Sequence, residues 1–183
     1  VLSIARSLRE CRHNVYVVCD KTDRISKHCR YIRKCIFINI DEVESLITLI
    51  KKEEIDIIIP MEDRWAYNLS LHKGKIEGET SAKCAICSLQ LYETVSNKTT
   101  LMQFCAENSI PHPKTMIADS ERLSAIKDFS FPILIKPSYS EGARGIRIVE
   151  SENELLNILP DHVAKYGECS LQEYIENNHY YNV

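Results

Sequence analysis

Three short apolar segments within the first 60 residues constrain the fold more than any other feature of this sequence. Residues 14–19, 35–39 and 55–59 are rich in valine and isoleucine, which favour β-strands. They carry apolar side chains at consecutive positions, as strands do when both of their faces are buried. Residues 43–50 lie between the last two segments and repeat apolar side chains at helical spacing. This order predicts an α/β fold in which helices cover a parallel sheet.

Sequence patterns predict further elements around these segments. Residues 3–12 and 61–73 have the spacing of helices, and Asp41 stands where it can cap the helix that follows it. Residues 73–80 contain two of the five glycines and are predicted to form a surface turn. Residues 84–88 are predicted to form the last strand of the first domain.

The character of the sequence changes after residue 88. Residues 89–109 are predicted to be largely helical, with a break near Ser96 and a cap at Ser96 or Asn97. We therefore predict two domains, an α/β domain at residues 1–92 and an α+β domain at residues 93–183. From Pro111 onward short strands are predicted with one helix among them, the strands at residues 115–118, 131–136, 145–149 and 170–175 and the helix at residues 152–165.

Charge and cysteine content exclude several classes of protein. The net charge of −3 lacks the basic excess of nucleic-acid binders, and the basic residues 24–34 are predicted to be a solvated surface. No apolar run approaches the roughly 20 residues that a membrane helix requires, and the opening VLSIARSLREC does not have the features of a signal peptide. The eight cysteines are therefore predicted to be reduced thiols of a cytoplasmic protein, with Cys84 and Cys87 as small buried residues instead of a metal or redox pair.

Residues 131–149 are the segment that most directly indicates chemistry. A strand that is apolar apart from its end finishes at Lys136, a loop rich in serine and glycine follows, and a second strand returns. Such a loop can present backbone N–H groups to phosphate oxygens, and the lysine adds a positive charge. The pattern predicts a phosphate clamp, and the alternative is an ordinary hairpin whose lysine reaches solvent. Neither of the common phosphate loops, G-x-x-x-x-G-K-[ST] or G-x-G-x-x-G, is present.

The same segment, FPILIKPSYSEGARGIRIV, resembles the ATP-grasp family, in which a lysine on a strand precedes a flexible glycine-rich lid. Residues 97–100 and 108–113 resemble the segment that leads to this strand in the family. Residues 170–175 resemble its hinge strand, which receives adenine. The likeness is closest to the carbamoyl-phosphate-synthase and biotin-carboxylase side of the superfamily. Two earlier segments, SIARSLRECRHNVYVV and IDIIIPMED, resemble the pre-ATP-grasp domain.

The resemblance implies a particular domain organisation. Residues 1–92 would form a Rossmann-like pre-ATP-grasp domain, and residues 93–183 a partial ATP-grasp domain. Within the latter, linker helices would precede an α+β lid subdomain at about residues 113–171, and the hinge strand would begin after it. The C-terminal lobe of the ATP-grasp fold would be absent from this chain.

The resemblance also implies the contacts with ATP. Lys98 and Lys136 would contact the phosphates. Gln172 stands where many members have Glu, Glu173 would offer its backbone carbonyl to the adenine amino group, and Ile175 its N–H to the ring. Residues of the lid over the triphosphate would be Ser138, Ser140, Glu141, Gly142, Ala143 and Gly145. Tyr174 would point into the packing, and His179 falls near the position of a ribose-binding acid, a departure from the family that Asn97 (usually Asp) and Asn177 (usually Gly) share.

By this resemblance the chain is the ATP-binding portion of an ATP-dependent carboxylate–amine (carbon–nitrogen) ligase that works through an acyl phosphate. Mg²⁺ would bridge the phosphates, with its ligands in the missing lobe and none of its ligands or catalytic residues in this fragment, which we expect to be inactive alone. The alternative is a non-catalytic nucleotide-binding or interaction module derived from the same fold. The sequence leaves open which small carboxylate and amine are used, and the oligomeric state. No nucleic-acid or membrane partner is expected.

Overall fold

The computed structural model describes residues 1–19, 26–118, 123–140 and 142–176. The chain divides into two compact units, Val1–Tyr92 and Glu93–Val183. The helices are α1 (Leu2–Glu10), α2 (Val43–Glu53), α3 (Asp63–Glu79), α4 (Leu89–Ser96), α5 (Lys98–Glu107) and α6 (Glu152–Tyr166). The strands are β1 (Tyr16–Cys19), β2 (Lys34–Phe37), β3 (Ile57–Ile58), β4 (Lys83–Cys84), β5 (Thr115–Ile117), β6 (Ile133–Pro137), β7 (Arg147–Val149) and β8 (Cys169–Glu173).

The first unit contains the parallel strands that its apolar segments predict. β1 pairs with β2 and β3 pairs with β4, both in parallel register. The predicted α/β class is confirmed, because each parallel pair is accompanied by helices that bury an apolar face. The core of this unit joins α2 and α3 to β4 and consists of Leu46, Ile47, Ile50, Leu69, Ile76, Ala82 and Cys84.

The surface turn predicted at residues 73–80 is wrong, because this segment is the end of a helix. α3 runs through Gly74 and Gly78 to Glu79. A glycine inside a helix costs only about 1 kcal/mol relative to alanine, whereas fully burying an isoleucine side chain stabilises by roughly 1.5–3 kcal/mol. Ile76 lies between these glycines and is fully buried in the core, so packing outweighs the glycine signal.

Two further predictions about the first unit are wrong in detail. Asp41 does not cap α2, because the helix begins after Glu42 and has no side-chain cap hydrogen bond. The strand predicted at residues 84–88 is limited to Lys83–Cys84. The chain turns there, since the N–H of Ile86 donates to the carbonyl of Cys84 at 2.8 Å.

The second unit is built on an antiparallel sheet with the strand order β5-β8-β6-β7. One face of the sheet packs against α6 in a core formed by Ile126, Ile133, Ile135, Val149, Leu155, Leu159, Cys169 and Leu171. Burial alternates along β6, as the period of a strand requires. Lys136 therefore lies on the opposite face of the sheet, and α5 packs against the neighbouring strands β5 and β8.

The break in the helical segment at residues 89–109 is confirmed, because α4 ends at Ser96 and α5 begins at Lys98. Asn97 is the cap of α5, and its side-chain oxygen accepts hydrogen bonds from the N–H groups of Thr99 and Thr100 at 2.9 and 3.0 Å. Such a cap satisfies donors that a helix start leaves free. Within the part of the chain that the structure describes, no helix has the length and hydropathy to cross a membrane.

Candidate functional site

The register of β6 and β8 brings Lys136 and Gln172 together on the face of the sheet opposite α6. Lys136 pairs with Ser170 and Leu134 with Gln172, so all four side chains point to the same face. The ammonium group of Lys136 donates a hydrogen bond to the side-chain oxygen of Gln172. The Gln172 amide donates in turn to the hydroxyl of Thr115 at 2.9 Å. A buried amide thus orients the lysine across three strands.

Lys98 reaches the same region from the start of α5. Its backbone N–H donates to the carbonyl of Ser138 at 2.9 Å, and its ammonium group donates to the carbonyl of Ser140 at 2.6 Å. The loop that follows β6 is therefore attached twice to Lys98. The first turn of α5 also adds the partial positive charge of a helix N-terminus.

The two lysines form a positively charged site. Burial lowers the pKa of Lys136, and the charge of Lys98 lowers it further. Among the described residues, neither ammonium group forms an ion pair with a carboxylate. A pair of uncompensated cations beside a helix N-terminus favours an anion.

Ser140 offers the clearest sign of an unfilled contact. Its hydroxyl is buried and has no hydrogen-bond partner among the described residues, while its carbonyl accepts from Lys98. Leaving a buried polar group unsatisfied costs about 1–3 kcal/mol. A phosphate oxygen would satisfy this hydroxyl, so the residues present fit a phosphate group.

Ser138 is held by the protein itself. The residue is buried, and its hydroxyl lies 2.7 Å from the hydroxyl of Thr99 and donates to Glu168 at 2.7 Å. Its N–H donates to the carbonyl of Glu168 at 2.8 Å. Ser138 therefore anchors the start of the loop, while Ser140 lies further along it. Thr99 and Glu168 were not predicted as site residues, and only the fold brings them to Ser138.

Left-handed backbone conformations shape the end of the loop. Gly142, Ala143 and Gly145 have φ angles of 57°, 60° and 75°. A Cβ atom at Gly145 would lie 2.7 Å from Cγ of Pro137 and 3.2 Å from the ring of Tyr166, so this position accommodates only glycine without rearrangement. The carbonyl of Gly145 accepts a hydrogen bond from His162 Nε2 at 2.7 Å. Glu141 lies outside the described residues.

The predicted adenine-binding residues follow Gln172 along the chain. The N–H of Glu173 donates to the carbonyl of Lys114 at 2.9 Å, so β8 is held on its β5 side. Tyr174 and Ile175 lie beyond the end of β8 and are 36% and 59% exposed. Tyr174 is therefore only partly packed, and the side chain of Ile175 is open to solvent. His179 and Asn177 lie outside the described residues.

Comparisons with known proteins agree on one class. Residues 96–181 match the family described as the carbamoyl-phosphate synthase L chain, ATP binding domain. The chain is 26% identical over 118 residues to the carbamoyl phosphate synthase large chain of Methanobrevibacter smithii, covering 63% of this chain and 11% of that protein. It is 27% identical over 135 residues to the D-aspartate ligase of Enterococcus faecium, covering 64% of this chain and 32% of that protein.

A solved structure supports the same fold over a longer stretch. The biotin carboxylase domain of the Hydrogenobacter thermophilus 2-oxoglutarate carboxylase, in complex with MgADP, ADP and bicarbonate, is 19% identical with a TM-score of 0.72. The match covers 95% of this chain and 42% of that one. This chain spans less than half the length of each of these relatives.

Together these findings confirm the predicted resemblance to the ATP-grasp superfamily. Within the class, residues 96–181 carry the match to the ATP-binding domain of carbamoyl-phosphate synthases.

Proposed function

We propose that this chain is the ATP-binding portion of an ATP-dependent carboxylate–amine ligase that works through an acyl-phosphate intermediate. The relatives that it resembles by sequence include a carbamoyl phosphate synthase and a D-aspartate ligase. In this reaction type, the terminal phosphoryl group of ATP moves to a carboxylate, and an amine then displaces phosphate. Catalysis of this kind depends on positioning and on neutralising phosphate charge.

The proposal is carried by the neighbouring charges of Lys98 and Lys136, together with the contact of Lys98 with Ser140, whose buried hydroxyl has no hydrogen-bond partner among the described residues. The lysines would neutralise phosphate oxygens, and the Ser140 hydroxyl would donate to one of them. Bound Mg²⁺ would supply further charge neutralisation on the phosphates. Glu173, the last residue of β8, and Ile175, just beyond the strand, would present backbone groups to adenine.

The whole reaction is proposed to need residues beyond this chain. The chain spans 42% of the biotin carboxylase domain whose fold it shares. Within the described residues, no cluster of three or more His, Cys, Asp or Glu side chains is arranged to hold a metal ion. We expect the Mg²⁺ ligands and the groups that bind the carboxylate and the amine to be supplied from outside it. A cytoplasmic location stays a prediction.

Binding of ATP by the chain tests the proposal. We expect Lys136→Met and Lys98→Met each to weaken ATP binding at least tenfold, since a charge-assisted hydrogen bond contributes about 1.5–3 kcal/mol. Isothermal titration calorimetry with and without Mg²⁺ measures the affinity. Lys165→Met is the matched control, because Lys165 lies in the last turn of α6 against Tyr166. Equal affinity in all four proteins, or no binding by the unaltered chain, would refute the nucleotide site.

A further inference from the structure

Two cysteines on the paired strands of the first unit lie close together. β1 and β2 pair with Val17 opposite Cys35 and Cys19 opposite Phe37. Cys19 and Cys35 are therefore offset by two positions and point to the same face of the pair. Their Sγ atoms are 3.0 Å apart, within roughly 1 Å of the length of a disulfide bond.

We propose that Cys19 and Cys35 form an oxidation site at which a hydroperoxide converts the two thiols into an intramolecular disulfide. This inference does not depend on the proposed ATP site, because both cysteines lie in the first unit. It also differs from the prediction that all cysteines are simply reduced thiols, since it assigns a specific chemistry to one pair.

The different exposure of the two thiols gives each a role. Cys35 is partly exposed, whereas Cys19 is buried. The thiolate of Cys35 attacks one oxygen of the peroxide, the O–O bond breaks, and Cys35 becomes a sulfenic acid while the other oxygen leaves as water or an alcohol. The sulfur of Cys19 then attacks the sulfur of Cys35 and releases water. Two thiols thus lose two electrons and two protons, and one peroxide is reduced.

Among the described residues, no other two cysteines have their sulfur atoms within hydrogen-bonding distance of each other. Burial raises the pKa of the Cys84 thiol, and the nearby Glu77 raises it further. Burial and then Glu168 raise the pKa of Cys169 in the same way. Both thiols are buried, so little reactive thiolate is available to an oxidant at either position.

Peptide mapping can assign the disulfide without ambiguity, because trypsin separates the cysteines concerned. Cleavage after Lys and Arg places Cys19 in residues 13–21, Cys29 in residues 28–30 and Cys35 in residues 35–51. The full chain is treated with hydrogen peroxide at neutral pH, the remaining thiols are alkylated, and the digest is analysed by mass spectrometry. We expect a linked peptide of residues 13–21 and 35–51 that disappears after reduction.

Cysteine variants distinguish specific oxidation of Cys19 and Cys35 from oxidation of any accessible thiol. Cys29→Ser is the matched control, since Cys29 is also partly exposed in the first unit, and it should leave the yield of the linked peptide unchanged. Cys19→Ser should stop Cys35 at the sulfenic acid, which dimedone traps. The proposal is overturned if Cys19 links to Cys29 as often as to Cys35. It is equally overturned if the linked peptide forms in the same yield from chain unfolded in guanidinium chloride, because folding then makes no contribution.

Discussion

The ammonium group of Lys136 is held in a position where a bound anion would stabilise its charge. Burial is the larger cause of its lowered pKa, and the charge of Lys98 is the second. Gln172 accepts a hydrogen bond from Lys136, but an amide brings no negative charge. A bound phosphate would supply that charge and raise the pKa again. Without a bound anion, the charge on Lys136 lowers the stability of the folded chain. Replacing Lys136 therefore separates its effect on ATP binding from its effect on folding.

Lys136→Met is expected to leave the ligand-free chain as stable as before, or to stabilise it, at neutral pH. The substitution removes a charge whose burial is unfavourable and keeps a side chain of similar length. ATP at 100 times its dissociation constant should stabilise the unaltered chain by about 2.7 kcal/mol, and the tenfold or greater loss of affinity should reduce this increment to about 1.4 kcal/mol or less in the variant at the same ATP concentration. Thermal unfolding with and without ATP measures both effects. A variant that unfolds well below the unaltered chain without ATP would show that Lys136 is structural.

The lowered pKa of Lys136 also makes the stability of the folded chain depend on pH. Its folded-state pKa lies below its unfolded value, so the unfolded chain binds more protons in the alkaline range. Stability therefore rises with pH through the window between the lowered pKa and the ordinary lysine value of about 10.4. The cost of the charge is fully present below that window.

The stability advantage of Lys136→Met should consequently shrink as pH rises through that window. Lys136→Arg should keep ATP binding into more alkaline solution than the unaltered chain does, because arginine stays charged. Denaturant titrations and ATP affinities measured between neutral pH and about pH 10 give both curves. A difference between the methionine variant and the unaltered chain that is constant with pH would contradict this assignment.

At the scale of elements, the loop between β6 and β7 is held at both ends, and its contacts with the rest of the unit differ along its length. Ser138 is tied to α5 through Thr99 and to the turn before β8 through Glu168. At the other end, Gly145 lies against Pro137 and Tyr166. Between them, the Ser140 carbonyl is held by Lys98, while the Ser140 hydroxyl has no hydrogen-bond partner among the described residues. A ligand under the loop could supply that partner.

Gly145→Ala is expected to destabilise the second unit by about 2–5 kcal/mol, because a left-handed alanine is strained and its Cβ would also overlap Pro137. Gly142→Ala is the matched control. Its φ angle of 57° is similar to that of Gly145, but a Cβ there meets nothing within 4 Å. We expect the control to cost about 1 kcal/mol. Urea unfolding gives both values, and an equal loss in the two variants would show that backbone strain alone decides.

These elements also show which parts of the molecule the sequence could predict. Local rules narrowed the helix cap to Ser96 or Asn97 and predicted the strand that presents Lys136, since a cap and an alternating strand depend on neighbours in the sequence. The contact of Ser138 with Glu168 spans 30 residues and depends on the register of β6 with β8. The helical conformation of Gly74 and Gly78 depends on the burial of Ile76. Neither of these features can be derived from the local sequence pattern.

At the scale of the whole molecule, the described residues of the proposed ATP site belong to one unit. The described candidates run from Lys98 to Ile175, within Glu93–Val183. That unit has its own sheet and its own apolar core. A unit with a separate core is able to fold independently.

We therefore predict that residues 93–183 expressed alone will unfold cooperatively and will be stabilised by ATP. Its core should suffice, because α6 and four strands bury their apolar faces within this unit. Residues 1–92, which have a core of their own, are the control and should show no stabilisation by ATP. Differential scanning calorimetry of the two fragments, with ATP or with an equal concentration of sulfate, measures this directly. If the second fragment folds but ATP stabilises it no more than sulfate does, its lysines form a general anion site. If ATP stabilises only the complete chain, residues outside the second unit contribute to the nucleotide site.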